Sequence, residues 1–293
     1  MKQAAGTSRT KRAADTAMVR ANKGRPWTPT PAVRLSMLLH AAAVASVALQ
    51  PALWPWALGA VAANHLLLTA AVFWPRGQVL GSNLVRLPAA AAERNEVSLT
   101  FDDGPDPEVT PRVLDLLDCC QAKASFFCVG ERAAAYPDIV KEIARRGHSV
   151  ENHSHRHSPA FAFYGPRRLK REVEMAQAEI AGIARRAPEF FRAPAGFRSP
   201  LLDPVLARSG LRYVSWTRRG FDAVDGDADR VAARLARGLA AGDILLLHDR
   251  AYRRTAGGEP VALAVLTALL EKLAAAGLKS VSLSAACGPG AET

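Results

Sequence analysis

The stretch "SLTFDDGPDP", residues 98–107, sets two carboxylates side by side, Asp102 and Asp103, at the end of an apolar run. On a continuing strand, neighbouring side chains point to opposite faces, so the two could not line one pocket. Gly104 and Pro105 end the strand there, and a chain that breaks at this point can turn both carboxylates into one site. Further along, "NHSHRH", residues 152–157, places three imidazoles within five residues. Imidazole nitrogens beside a carboxylate suit zinc or a similar divalent ion. His153 and His157 stand four apart, so one helical turn or a tight loop sets them on the same side, with His155 pointing away. With Asp103 supplied from another strand end, these two histidines are the expected metal ligands.

The elements that must position these groups alternate short apolar segments with amphipathic ones. "VSLTF", "ASFFCV", "HSVEN", "EFFRA", "RYVSW", "DILLLH" and "SVSL" read as strands. Helices are predicted from Pro111 with Thr110 as N-cap, over 137–146 as far as Gly147, and over 167–184, 202–208, 227–237 and 260–276. Such alternation implies a parallel sheet with helical cover, either a barrel or an open doubly wound sheet. In both, chemistry belongs at the C-terminal ends of the strands, where the aspartate pair, the histidine cluster and "LLLHD" stand.

Ahead of this domain, Leu35 to Pro75 contains no Asp, Glu, Lys or Arg, enough chain for two bilayer passes of roughly 20 residues each. Pro51 and Pro55 punctuate its middle, and Trp54, Trp56 and Trp74 stand where interfacial aromatics would, so it reads as a transmembrane helical hairpin. It is longer than the apolar region of a cleaved signal peptide, roughly 7–15 residues. Much of the formal net charge of +11 lies in the leader, where Lys2, Arg9, Lys11, Arg12, Arg20, Lys23, Arg25 and Arg34 face Asp15 alone. A basic, disordered tail beside an apolar segment points to anionic membrane lipids rather than nucleic acid, for which no binding motif is present. The basic leader, the uncharged turn, and Arg76, Arg86 and Arg94 after the second pass put both ends on the cytoplasmic side of a bacterial-type inner membrane. The expected organisation is a tail 1–34, a hairpin 35–75, a linker 76–95, a catalytic domain 96–285 and a short tail 286–293. Cys119, Cys120, Cys128 and Cys287 form neither a disulfide framework nor a zinc ribbon.

"TFDDGP", "NHSHRH", "FFRAPAGF" and "LLLHD", in that order and spacing, resemble the polysaccharide deacetylase family, the NodB-homology domain of carbohydrate esterase family 4. The likeness spans 96–285. It implies a deformed (β/α) barrel with fewer than eight repeats, one divalent ion held by Asp103, His153 and His157, and hydrolysis of an N-acetyl group from an amino sugar. Zinc is the first expectation for the ion, with cobalt, nickel or manganese as alternatives. By the same resemblance Asp102 is the general base, His248 the general acid that protonates the leaving amine, and Leu246 the wall facing the acyl methyl. Arg192 is the arginine paired with the base, in a loop shaped by Pro194 and Gly196.

The segment "SWTRRGFDA" departs from the family pattern: Trp216 and Asp222 fit, but Arg219 replaces an aspartate and Ala223 a tryptophan. The orientation of Arg192 and His248, and the size of the sugar site, are therefore open from sequence. Asp222 is the remaining acidic residue that could hold His248, and Arg219 is a candidate contact for an anionic substrate group. Loss of an aromatic platform implies a substrate other than a long polymer, or a subgroup variant. The resulting expectation is a membrane-anchored, metal-dependent N-deacetylase acting on an amino-sugar glycan or a lipid-linked glycan precursor. Its alternatives are a deformylase or deacylase of a lipid-linked sugar, and a carbohydrate-binding member with impaired turnover.

Overall fold

Strand β1 (Glu96–Asp102) is buried from Val97 onward and pairs in parallel with β2 (Ala124–Cys128) on one side and β7 (Ile244–His248) on the other. The computed structural model describes residues 24–288. Outward from β2 come β3 (Ser149–Asn152), β4 (Phe190–Phe191) and β5 (Arg212–Tyr213), and beyond β7 comes β6 (Arg218–Arg219). A last strand, β8 (Lys279–Ser280), pairs with the start of β1. Every pairing between these strands is parallel among the described residues. The path ends at β5 and β6, which are not paired with each other among the described residues. The result is a deformed, open (β/α) barrel.

Strand parity sorts the side chains. Leu99 and Phe101 of β1 and Leu245 and Leu247 of β7 turn outward, into a core with Val113, Leu114 and Leu117 of α4 (Thr110–Cys119), Val231 and Leu235 of α9 (Ala228–Ala236), and Leu266 and Leu269 of α10 (Val261–Ala275). Truncating one of these buried leucines to alanine would cost about 2–5 kcal/mol. The alternate residues Thr100 and Asp102 face the barrel interior opposite their register partners Leu246 and His248. The core therefore fixes the register that brings two functional side chains together.

Helices α6 (Pro137–Arg145), α7 (Pro166–Ala184) and α8 (Asp203–Ser209) complete most of the cover, each starting on or next to a proline that suits the first helical turn. Thr110 is not the cap it was expected to be. The Asp106 carboxylate accepts the N–H groups of Glu108 and Val109, while the Thr110 hydroxyl accepts the Asp106 N–H at 2.7 Å and bonds Asp249. Three short helices, α3 (Ala89–Glu93), α5 (Gly130–Ala135) and α11 (Leu283–Ala286), and strand β6 had no periodic signal in the sequence.

At the N-terminal end, α1 (Pro31–Leu49) and α2 (Trp54–Val72) form a helical hairpin across a single turn of 3-10 helix at Pro51–Leu53. Thr30 caps α1 through the Val33 N–H, so the helix starts ahead of the charge-free stretch. Asn64 donates to Ser36 Oγ at 2.9 Å between the two helices. Both spans, Pro31–Leu49 and Pro51–Val72, are long and apolar enough to cross a membrane, with mean hydropathies of 1.7 and 1.3. The end of α2 docks on the barrel, where Val72 is buried with Leu80 and Ala162 and Phe73 meets Phe197 edge-on at 5.0 Å. Most of the expected basic tail lies outside the described residues.

Candidate active site

Asp102 is the last residue of β1, and Asp103 has a φ of +74°. That left-handed conformation breaks the strand's alternation, so both carboxylates line one cavity of about 170 Å³. Gly104 is required next, because a Cβ there would lie 2.1 Å from the Asp249 carboxylate. Asp249 braces this turn: it is fully buried and bonded to the Thr110 hydroxyl at 2.6 Å. Burial pushes its carboxyl up to about 7, against the pull of that bond.

The histidines come from a tight loop rather than a helix. Asn152 anchors it through the Val173 carbonyl and Gln177 of α7, and its Oδ1 accepts the Ser154 N–H. Ser154 and His157 have φ of +64° and +50°, and Ala195 across the cavity has +55°. Such conformations cost about 1–3 kcal/mol each and are commonly kept where a site needs them. His153 and His157 point their Nε2 atoms at Asp103 Oδ1, at 3.2 and 2.9 Å. His155 packs instead beside Gly130 of α5.

These three residues fit a metal ion. One ligand atom from each lies within 4.8 Å of the others. His153 Nδ1 is 2.8 Å from the Arg192 carbonyl, which can only accept, so Nδ1 carries a proton and Nε2 offers its lone pair to the site. A lone pair facing a carboxylate oxygen calls for a cation or a proton between them. The electrostatics agree: burial opposes a charged His153, yet Asp102 and Asp103 outweigh it and raise its pKa. Burial likewise opposes ionisation of Asp103, but the two histidines hold it well below the usual carboxylate range.

Arg192 is completely buried at the end of β4 and ties the site together. Nη1 donates to Asp102 Oδ1 at 2.7 Å and to Thr100 Oγ1 at 2.9 Å, Nη2 donates to the Ser215 carbonyl at 2.8 Å, and Phe127 lies under the guanidinium at 4.2 Å. Glu151 fixes the strand that carries it by accepting the Glu189 and Phe190 N–H groups; burial pushes its carboxyl up to about 7 despite these donors. Across the cavity, His248 Nδ1 contacts Asp222 Oδ1 at 2.9 Å. Burial alone would lower the pKa of His248, but the Asp222 carboxylate, its hydrogen bond and the two site aspartates raise it to about 9.

Leu246, Trp216, Gly196, Ala223 and Arg219 line the same cavity, as Ala195 does in place of the expected Pro194. Tyr252 was missed. Its hydroxyl donates to Asp103 Oδ2 at 2.9 Å, and its only sequence signal was its place four residues after His248. Burial and the Asp103 charge push its phenol up to about 12.

The sequence profile of the polysaccharide deacetylase family matches residues 89–214. A chitooligosaccharide deacetylase of Bradyrhizobium sp. (strain ANU 289) is 33% identical over 172 residues, which are 56% of this chain and 78% of that protein. The chain belongs to the polysaccharide deacetylase family. A peptidoglycan-N-acetylglucosamine deacetylase of Bacillus cereus is 34% identical over 157 residues, covering 53% of this chain and 56% of its relative. Among solved structures, a family 4 carbohydrate esterase from Streptomyces lividans in complex with acetate is similar with a TM-score of 0.57 and 32% identity. That match covers 63% of this chain and 91% of the esterase. These deacetylases are hydrolases of sugar amides. Against the family pattern, Arg219 and Ala223 both stand in the wall of the cavity, and Arg219 lies over the rings of Trp216 and Phe221 at 5.3 and 4.9 Å.

Proposed function

We propose that the chain is a membrane-anchored, metal-dependent hydrolase that removes N-acetyl groups from amino sugars of a glycan or a lipid-linked glycan precursor. The observation that carries this reading is the convergence of Asp103, His153 and His157 beside the Asp102–Arg192 and His248–Asp222 pairs in one cavity. Asp103, His153 and His157 would hold the ion, zinc first or else cobalt, nickel or manganese, which when bound supplies Lewis acidity toward the amide carbonyl and an attacking water.

Asp102 is the general base. Arg192 holds its carboxylate toward the cavity, where it takes a proton from water as the new C–O bond forms. His248 is the general acid: Asp222 fixes its ring through Nδ1 and leaves Nε2 facing the cavity to protonate the amine as the C–N bond breaks. The products are acetate and a free amino sugar. Leu246, buried two residues before His248 on the same strand face, walls the acyl methyl.

The two apolar helices support anchoring in an inner membrane, and flanking charge favours a catalytic domain, 96–285, on the cytoplasmic side. The test is acetate release by the purified full-length chain, with zinc, from a chitooligosaccharide and from a lipid-linked N-acetylglucosamine. Release that depends on metal supports the reading. No release from either overturns it.

A further inference from the structure

A second cavity, of about 430 Å³, adjoins the catalytic one. Arg76, Arg218, Arg219 and Arg234 line it together with Trp74 and Trp216, and no acidic side chain does. Two of these cations are satisfied within the fold. Arg218 pairs with Asp243 and bonds the Arg237 and Gly238 carbonyls, and Arg234 pairs with Asp225 at 2.7 Å. Arg76 and Arg219 have no carboxylate partner among the described residues. Arg76 reaches only the Thr217 carbonyl, at 3.4 Å, and the buried Nε of Arg219 has no hydrogen-bond partner. Two uncompensated guanidinium groups in a concave wall make a site for an anion with several acceptor oxygens.

The position of this cavity narrows the ligand. Trp216 and Arg219 line both cavities, so an anion held here lies beside whatever sugar occupies the catalytic one, close enough to belong to the same substrate. Trp74 to Arg76, in the same lining, follow one residue after α2, whose Leu66 and Leu67 are exposed. The arginine cavity thus lies where a bilayer-length apolar helix meets the catalytic domain.

We infer that this cavity binds the phosphate of a glycosyl phosphate, and that the substrate is an N-acetylated amino sugar linked through phosphate to a prenyl-type lipid. The sugar enters the catalytic cavity, the phosphate meets Arg76 and Arg219, and the lipid runs beside α2. This rests on the deacetylase reading and narrows its substrate. A nucleotide-linked sugar offers the same phosphate chemistry, and the neighbouring apolar helix is what favours the lipid.

The test compares kcat/KM of the full-length chain in lipid nanodiscs for three substrates: N-acetylglucosamine linked through diphosphate to a short polyprenol, the same sugar linked to uridine diphosphate, and neutral chitotetraose. The polyprenol substrate is expected to be favoured by about tenfold or more over both others. Arg76→Gln should reduce its advantage over chitotetraose by about tenfold, mainly through KM, and Arg76→Lys should restore most of it. Equal use of chitotetraose, or an advantage unchanged in Arg76→Gln, overturns the phosphate site while leaving the deacetylase reading intact. Equal use of the uridine diphosphate sugar overturns the lipid assignment. No turnover of any substrate overturns the deacetylase reading itself.

Discussion

Asp222 grips His248 twice: one carboxylate oxygen lies 2.9 Å from the ring Nδ1, and the other accepts the residue's own backbone N–H at 2.7 Å. The proposed role of His248 as general acid requires a protonated ring, and this carboxylate is the largest influence raising the imidazole, against burial, to about 9. Removing its charge lowers that pKa, so activity in Asp222→Asn should start to fall at a lower pH. The expected result is an alkaline limb of kcat/KM displaced from near 9 toward the ordinary imidazole value of about 6.5, with reduced turnover. Arg219→Ala should instead raise KM and leave the limb in place. A limb that moves in Arg219→Ala and stays in Asp222→Asn would mean that His248 is oriented by another group.

Neighbours in sequence, Asp102 and Asp103 face different partners and should fail differently. Asp103→Ala removes the oxygen on which both Nε2 atoms converge, so it should lower metal occupancy in elemental analysis, as should His153→Ala. Chelation should abolish activity, and one divalent ion per chain should restore it. Asp102→Asn should retain metal and lose roughly two to four orders of magnitude in turnover, the contribution expected of a positioned base. Equal loss of metal in both variants would exchange the two roles.

Tyr252→Phe tests a residue that acts through Asp103. The phenol donates to Asp103 Oδ2, not to the oxygen that faces His153 and His157, and so fixes the rotation of a proposed ligand. Partners of this kind are worth about 10–100-fold in metal affinity. A competition titration with a chromophoric chelator should show weaker zinc binding in that range, and saturating zinc should recover most of the activity. Unchanged affinity would restrict Tyr252 to the cavity wall.

His148 gives a stability prediction away from the chemistry. It is buried, and its Nδ1 accepts the Ala124 N–H at 3.1 Å, which needs an unprotonated nitrogen. Burial, helped by Lys123, lowers its pKa to about 4. The folded value lies below the unfolded one, so the unfolded chain binds the proton first and stability is lost as pH falls from about 6.5 toward 4. The full loss is about 3 kcal/mol. Urea midpoints measured between pH 7 and pH 4 should fall less steeply in His148→Gln than in the natural chain, even though the variant starts lower.

The strands and long helices were legible because burial on both faces of a parallel sheet writes continuous apolar runs such as "ILLLH", and amphipathic helices write a different period. Strand β6 was not, since "TRRGF" is held by pairing with β7 and by tertiary contacts rather than by its own pattern. Within the site, Asp102, Asp103 and the histidines were readable from type and spacing. Tyr252, Glu151 and Asp249 were not, because each gains its place only when a loop or strand folds back on another element, and a single sequence carries no mark of that contact. Arg219 was noticed as a departure, but its company was invisible: Arg76 is remote in sequence and joins it only in the lining of a folded cavity.

For the proposed membrane anchor, the orientation of the hairpin decides which substrates can be reached. The turn between α1 and α2 carries no charge, whereas Arg76, Arg86 and Arg94 follow α2. Arg86 pairs with the buried Asp243 at 3.1 Å and Arg94 with Glu96 at 2.7 Å, so two of these charges are bound into the barrel and, with the hairpin inserted as proposed, share its side of the membrane. Cations close to the end of a span favour the cytoplasmic face. Reporter fusions after Trp54 should therefore register outside and fusions after Arg94 inside. An outside signal at both positions would put the domain on the other face. A substrate assembled on a cytoplasmic lipid carrier would then be out of reach, leaving a peptidoglycan or exported glycan as the target.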